Sequence, residues 1–129
     1  MKNLIILFAF ILLAATAQSQ SLTEKEISGT WQVITITNAG NKPAQAEEMN
    51  AAYFDLYPDH SFQLRTQKNN GSSTEYEENF KNYKWSYNAA TQTINLSKGN
   101  MNIKVSKINN NVFFELTGTG IKLQVFQPI

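Results

Sequence analysis

Gly29-Thr30-Trp31 stands at the start of the first predicted strand, and this tripeptide decides the fold assignment. A glycine at the start of a strand permits a sharp turn and a close approach by another backbone, because it has no Cβ. A tryptophan two positions later supplies a large apolar ring with one N–H donor, which suits a plug at one end of a curled sheet. Gly29 and Trp31 are therefore predicted to close one end of the fold.

The residues before the tripeptide predict a short helix. The residues from Thr30 onward predict a strand. Ser21 to Ile27 place Ser and Thr ahead of Glu, which is the chemistry of a helix N-terminus, so one or two helical turns are expected. Thr30 to Thr37 are rich in β-branched and aromatic residues and predict the first strand. Asn38 to Pro43 have turn chemistry, and Ala44 to Ala52 predict a short helix or a lid-like loop over one mouth.

A tight hairpin is predicted around Pro58-Asp59-His60, because Tyr53 to Tyr57 and Ser61 to Arg65 both alternate apolar and polar residues. Alternation directs Phe54, Leu56, Phe62 and Leu64 inward and Asp55, Gln63 and Arg65 outward. Thr74 to Phe80 contain three glutamates and predict an exposed edge strand or a loosely ordered hairpin arm.

The remainder of the chain predicts further short strands over residues 83–87, 92–97, 101–106, 112–116 and 121–125. The alternation breaks at Ile108, which predicts a bulge near Lys107. Consecutive short strands without long helices predict an all-β fold, an antiparallel up-and-down β-barrel of about eight strands with a short N-terminal helical turn. A two-sheet sandwich is the alternative.

These features resemble the lipocalins and, more closely, the short lipocalin-like domains of secreted bacterial proteins. In that family a G-x-W motif opens the first strand after a short helical turn, as Gly29-Thr30-Trp31 does here, and Tyr83-Lys84-Trp85-Ser86-Tyr87 adds a second tryptophan before a turn. Long lipocalins also carry an arginine near the last strand that packs over the motif tryptophan. Here the only arginine is Arg65, so Lys122 is the expected substitute.

The first residues predict export from the cytoplasm. Met1-Lys2-Asn3, the apolar run from Leu4 to Leu13 and the ending Ala14-Ala15-Thr16-Ala17 are the three parts of a secretory signal peptide. Residues 1–17 are therefore predicted to be a signal peptide and residues 18–129 the lipocalin-like domain. The apolar run is too short for a membrane span, which needs about 20 residues. Because no cysteine is present to carry a lipid, a secreted or periplasmic protein without a stable membrane anchor is expected.

The composition argues against several functions. Loss of Lys2 with the signal peptide would lower the 11 basic residues by one and match the 10 acidic ones, which disfavours binding to nucleic acid by bulk electrostatics. With no cysteine and one histidine, neither a metal site nor a cofactor is predicted. His60 and Ser61 are neighbours in a tight turn and cannot form a catalytic pair, so no catalytic residue and no enzyme are predicted.

The inward aromatic and aliphatic residues are the predicted ligand-binding site, although the same residues could instead fill the interior completely. The predicted function is a secreted, non-enzymatic domain that binds a small hydrophobic ligand inside the barrel. The alternative is a protein-interaction or inhibitor module whose exposed anchors are Phe113, Phe126, Tyr53 and Tyr57. The predicted ligand-binding residues are Phe54, Leu56, Phe62, Leu64, Tyr83, Trp85, Tyr87, Phe114, Leu116 and Leu123.

Overall fold

A computed structural model of the protein describes residues 21–66, 82–97 and 102–128. The described residues form eight antiparallel strands and two short helices, which confirms the predicted all-β barrel and excludes the sandwich. The predicted signal peptide and the predicted strand from Thr74 to Phe80 lie outside the described residues. The elements are α1 (Glu24–Ile27), β1 (Gly29–Ala39), α2 (Pro43–Glu48), β2 (Tyr53–Leu56), β3 (Phe62–Arg65), β4 (Trp85–Asn88), β5 (Thr93–Leu96), β6 (Ile103–Ile108), β7 (Asn111–Leu116) and β8 (Ile121–Phe126).

The strands form one sheet in the order β3-β2-β1-β8-β7-β6-β5-β4. The two edge strands meet at an antiparallel bridge between Ser61 and Lys84. Around this bridge the Phe62 amide donates to the Tyr83 carbonyl at 3.0 Å, and the Trp85 amide donates to the His60 carbonyl at 2.8 Å. The sheet therefore curls into a nearly closed barrel, in which the two edge strands are hydrogen-bonded to each other where they begin.

The barrel has two distinct ends, and each is covered by a short helix. α1, the start of β1 and the hairpins β2–β3, β4–β5 and β6–β7 lie at one end, here called the α1 end. The end of β1, helix α2 and the β7–β8 turn lie at the other, here called the α2 end. No helix within the described residues has the length and hydropathy needed to span a membrane.

A capping box explains why α1 forms in only four residues. The Thr23 hydroxyl accepts a hydrogen bond from the Glu26 amide at 3.2 Å, and the Glu26 carboxylate accepts one from the Thr23 amide at 3.0 Å. The bond from the Thr23 amide, together with one that the Thr23 hydroxyl donates to the same carboxylate at 3.0 Å, holds the pKa of Glu26 below its usual value. The reciprocal pair satisfies two backbone amides that would otherwise be free. This stabilises the helical turn that places Ile27 in the core.

The irregular strand is β1, and the bulge predicted near Lys107 is wrong. β6 pairs with β7 without a register shift from Ile103 to Ile108, so Lys107 keeps an inward position and Ile108 an outward one. The register shifts lie in β1, between Val33 and Thr35 and between Ile36 and Asn38, where it pairs with β8. An extra residue increases local twist, and this strand must bend to pair with both β2 and β8.

Candidate functional site

The residues predicted to line the interior are gathered in one core cluster, with two exceptions. Phe54, Leu56, Phe62, Leu64, Trp85, Phe114, Leu116 and Leu123 are all 5% exposed or less. Tyr83 and Tyr87 are half-buried and pack against the same cluster. The structure therefore brings the predicted residues together around one interior, which they share with the aliphatic side chains of β5, β6 and β8.

Four aromatic rings form a chain of contacts through this interior. The Trp31 and Phe114 ring centroids are 5.5 Å apart, and Phe114 meets Phe54 edge-on at 5.5 Å. Phe54 also meets Phe62 at 6.4 Å. Tilted and edge-to-face rings at these separations attract each other beyond simple area burial. The chain links β1, β7, β2 and β3 across the barrel.

The two residues predicted to close the barrel lie at the α1 end, directly beneath α1. The Trp31 side chain is buried, and its indole N–H donates to the Ile27 carbonyl at 2.7 Å. Gly29 has a φ of +123°, and a Cβ there would meet the Gln127 amide nitrogen at 3.2 Å. That nitrogen donates to the carbonyls of Glu26 and Ser28 at 3.2 Å each. Gln127 thus joins the chain after β8 to the end of α1.

Lys122 is not a substitute for the arginine of the long lipocalins. Its ammonium nitrogen lies 5.3 Å from the centre of the Phe113 ring on the outer face of the barrel. Trp31 lies inside, so Lys122 cannot cover it. Gln127, which the sequence did not single out, is the residue that reaches the Gly29-Trp31 corner from the C-terminal side.

The α2 end is covered by the segment for which the sequence predicted a short helix or a lid-like loop, and the structure has a short helix there. Ala46 in α2, Met49 after it and Ala52 before β2 are all 1% exposed or less and belong to the core cluster. The Ala52 carbonyl accepts a hydrogen bond from the Val33 amide at 2.9 Å, which fastens the segment to β1. The spacing of three between Ala46 and Met49, one helical turn, was the available signal that these side chains share an inward face.

Trp85 lies at the seam between β3 and β4. Its indole N–H donates to the Tyr57 carbonyl at 2.9 Å, and the His60 ring stands over it with centroids 5.1 Å apart. The His60 imidazole also lies 3.7 Å from the Glu24 carboxylate of α1. A surface cleft of about 370 Å³ opens here, lined by Glu24, Lys25, Ser28, Pro58, His60 and Trp85. Trp85 therefore belongs to the barrel closure as well as to the interior.

Asp55 points outward as predicted, but its side chain is covered instead of exposed to solvent. Asp55 is 1% exposed and accepts two hydrogen bonds from the Arg65 guanidinium, at 2.7 and 3.0 Å, and one from the Thr30 hydroxyl at 2.7 Å. The carboxylate raises the pKa of Arg65 through these hydrogen bonds. A buried carboxylate needs such partners. The triad ties β1, β2 and β3 together on the outer wall.

The four predicted surface anchors differ in exposure. Tyr57 and Phe126 are 40% and 41% exposed, whereas Tyr53 and Phe113 are half-buried. The Arg65 guanidinium lies 4.5 Å from the centre of the Tyr53 ring. The Lys122 ammonium covers the Phe113 ring in the same way. One face of each of the Tyr53 and Phe113 rings is thus covered by a cationic side chain. The expectation that all four residues are exposed is wrong.

The described residues contain little that could carry out catalysis. The Ser61 hydroxyl donates to the Asp59 carboxylate at 2.6 Å, and this bond is the main reason that the pKa of Asp59 is lowered. His60 faces Trp85 and Glu24 instead of that hydroxyl. Across residues 21–66, 82–97 and 102–128, no group of three or more His, Cys, Asp or Glu side chains is placed to hold a metal ion.

Comparison with known proteins gave one match. The family model described as a lipocalin-like domain matches residues 27–114, from the end of α1 into β7. No significant match was found to a curated protein or to a solved structure. The matched segment includes Gly29, Trp31 and seven of the eight strands, at least in part.

Proposed function

Because the chain belongs to the lipocalin-like domain family, we propose that it is a non-enzymatic domain that holds a small hydrophobic molecule inside its barrel. The lipocalin-like barrel is a binding-type fold. Hydrophobic ligand binding at the residues named above is the specific function proposed for it.

The observation that carries the proposal is the apolar inner wall. Ile94, Ile103, Leu116, Ile121 and Leu123, from four neighbouring strands, are all 0% exposed and belong to the same core cluster as Phe114 and Phe54. A wall of this kind stabilises a ligand by removing apolar surface from water. Burial of about 300 Å² would contribute roughly 7 kcal/mol before the cost of association.

The α2 segment is the proposed gate. α2 has six residues, and its N-cap Lys42 makes no side-chain cap hydrogen bond. Short helices without a capping side chain are marginal by themselves, so this segment depends on the burial of Ala46 and Met49. A ligand could enter by displacing those two side chains while the barrel strands keep their pairing.

The domain is also proposed to act outside the cytoplasm. The three-part pattern of residues 1–17 supports export, and the absence of cysteine from the sequence is consistent with a chain that carries no lipid anchor. The intact mass of the protein recovered from an exporting host tests this, because cleavage after Ala17 removes a defined mass. Recovery of the chain with residues 1–17 attached would contradict the proposal.

A ligand panel tests the binding function directly. Native mass spectrometry of the purified protein would detect co-purified molecules, and titration with fatty acids, retinoids and haem would be followed by fluorescence of the buried Trp31 and Trp85. Ala46→Leu adds bulk beneath α2 and is expected to weaken binding at least severalfold. Ala44→Leu, at an exposed position of the same helix, is the matched control. No response to any ligand, or equal binding by the two variants, would refute the interior site.

A further inference from the structure

The apolar inner wall is interrupted at the α1 end by three polar residues on neighbouring strands. Tyr87 pairs with Ile94, and Lys107 pairs with Val112, so both occupy inward positions. Gln92, just before β5, lies between them in the sheet. The sequence had accounted for Lys107 with a bulge that does not exist, so this polar group was missed.

A backbone hydrogen bond holds Gln92, the residue directly before β5, against β6 beside the inner wall. Ile94 and Ile103 form a buried pair, Thr93 and Lys104 form the next, outward pair, and the Val105 amide then donates to the Gln92 carbonyl at 2.8 Å. Gln92 is therefore opposite Val105, whose side chain is 1% exposed inside the barrel. Gln92 is the last residue of the turn between β4 and β5, with a φ of +52°, and it is half-buried at the edge of this inner wall.

The Gln92 side-chain oxygen is buried and receives no hydrogen bond from the protein. Among the described residues it is the single buried side-chain nitrogen or oxygen without a partner. Buried polar atoms are almost always paired, because an unpaired acceptor loses its hydration and gains nothing in return. A hydroxyl or N–H group of a bound molecule would pair this oxygen.

The two polar neighbours do not supply that donor. The Tyr87 hydroxyl already donates to the Leu22 carbonyl at 2.8 Å. Lys107 is half-buried. Its positive charge interacts with the Glu26 carboxylate and contributes to lowering the pKa of Glu26. The Gln92 side-chain oxygen, in contrast, is buried and unpaired.

We propose that Gln92 recognises the polar group of the ligand, and that this ligand is an apolar molecule carrying a hydroxyl or N–H donor. The inference rests on the proposed function and specifies its ligand class. An ionised carboxylate has no proton to donate to the Gln92 oxygen and would lose hydration beside it. The ligand hydroxyl would donate to Gln92, and the ligand's apolar chain would lie along the apolar wall formed by Val105, Phe114 and Leu123.

Three probes of similar size test the ligand class: 1-decanol, its isomer methyl nonyl ether, and decanoate at neutral pH. The alcohol is expected to bind about threefold to tenfold more tightly than the ether, as one added neutral hydrogen bond would give. Gln92→Met removes the acceptor and is expected to reduce this ratio to about twofold or less. Gln124→Met, the same change on the outer face of β8, is the matched control and is expected to retain the full preference.

The outcomes separate the two proposals. Equal affinity for alcohol and ether in the unaltered protein overturns the role of Gln92 but leaves hydrophobic binding intact, and so does a preference that survives Gln92→Met. Tightest binding of decanoate assigns the site to Lys107 and also overturns the role of Gln92. Failure of all three probes to bind overturns both proposals.

Discussion

The indole nitrogen of Trp31 donates a 2.7 Å hydrogen bond to the carbonyl oxygen of Ile27, the last residue of α1. Both residues are buried, so the bond fastens the covering helix to the first strand at the point where the barrel is closed. Gln127 reaches the same corner and donates to the carbonyls of Glu26 and Ser28. The α1 end is therefore held by directed hydrogen bonds in addition to apolar packing.

Trp31→Phe is expected to lower the free energy of unfolding by about 1 to 3 kcal/mol, because the buried Ile27 carbonyl loses its donor. Urea denaturation followed by circular dichroism measures the change. Tyr57→Phe is the control, since its hydroxyl bonds to Gln63 at an exposed site and its loss should cost less than about 0.5 kcal/mol. Equal losses in the two variants would argue against a structural role for the Trp31 bond.

Gly40→Ala and Gly118→Ala are expected to differ strongly although both glycines have positive φ, at +62° and +85°. A Cβ at Gly40 would overlap the Thr119 carbonyl, whereas a Cβ at Gly118 meets nothing within 4 Å. Gly118→Ala should therefore cost only the backbone strain of about 1 to 2 kcal/mol. Gly40→Ala should add an overpacking cost of about 1 to 3 kcal/mol. Thermal and urea denaturation would show the ranking, and similar midpoints would contradict the close approach of the two turns.

Arg65→Met is expected to destabilise the protein by about 1.5 to 3 kcal/mol, because the buried Asp55 carboxylate keeps only the Thr30 hydroxyl as a side-chain donor. A double-mutant cycle with Asp55→Asn isolates the coupling. The double variant should be less destabilised than the sum of the single ones by about 0.5 kcal/mol or more. Strict additivity would show that Asp55 and Arg65 do not act as a pair.

Stability is expected to fall at alkaline pH through Tyr87. Burial, with a smaller contribution from Glu26, raises the pKa of Tyr87 above its usual value near 10. Because the folded state holds the phenolic proton more tightly than the unfolded state, this contribution is fully present below about pH 10 and is lost as the pH rises through the raised pKa. Tyr87→Phe should flatten the fall in unfolding free energy above about pH 10, measured by urea denaturation at several pH values. An unaltered slope in Tyr87→Phe would contradict the assignment.

The barrel and its inward residues could be predicted because their signals are local. Alternation along Tyr53–Leu56 and Phe62–Arg65 depends only on neighbours in the chain, and the turn at residues 58–60 depends only on its own residues. The pairing of the first strand with the last could also be predicted, because a curled sheet must hide its edges. The same local rule failed at Lys107, where an inward polar residue was read as a change of register.

By itself the sequence determined the strand order along the chain, the helical turn before Gly29 and the residues that face inward, because backbone propensity and side-chain alternation act over a few residues. The tertiary structure alone decided that Asp55 is buried, that Met49 covers the α2 end and that Gln127, not Lys122, reaches the Gly29 corner. It alone also showed that the Gln92 oxygen has no donor. Each of these depends on atoms brought together from separate strands, and the contacts of Gln127 with α1 join residues about a hundred positions apart in the chain.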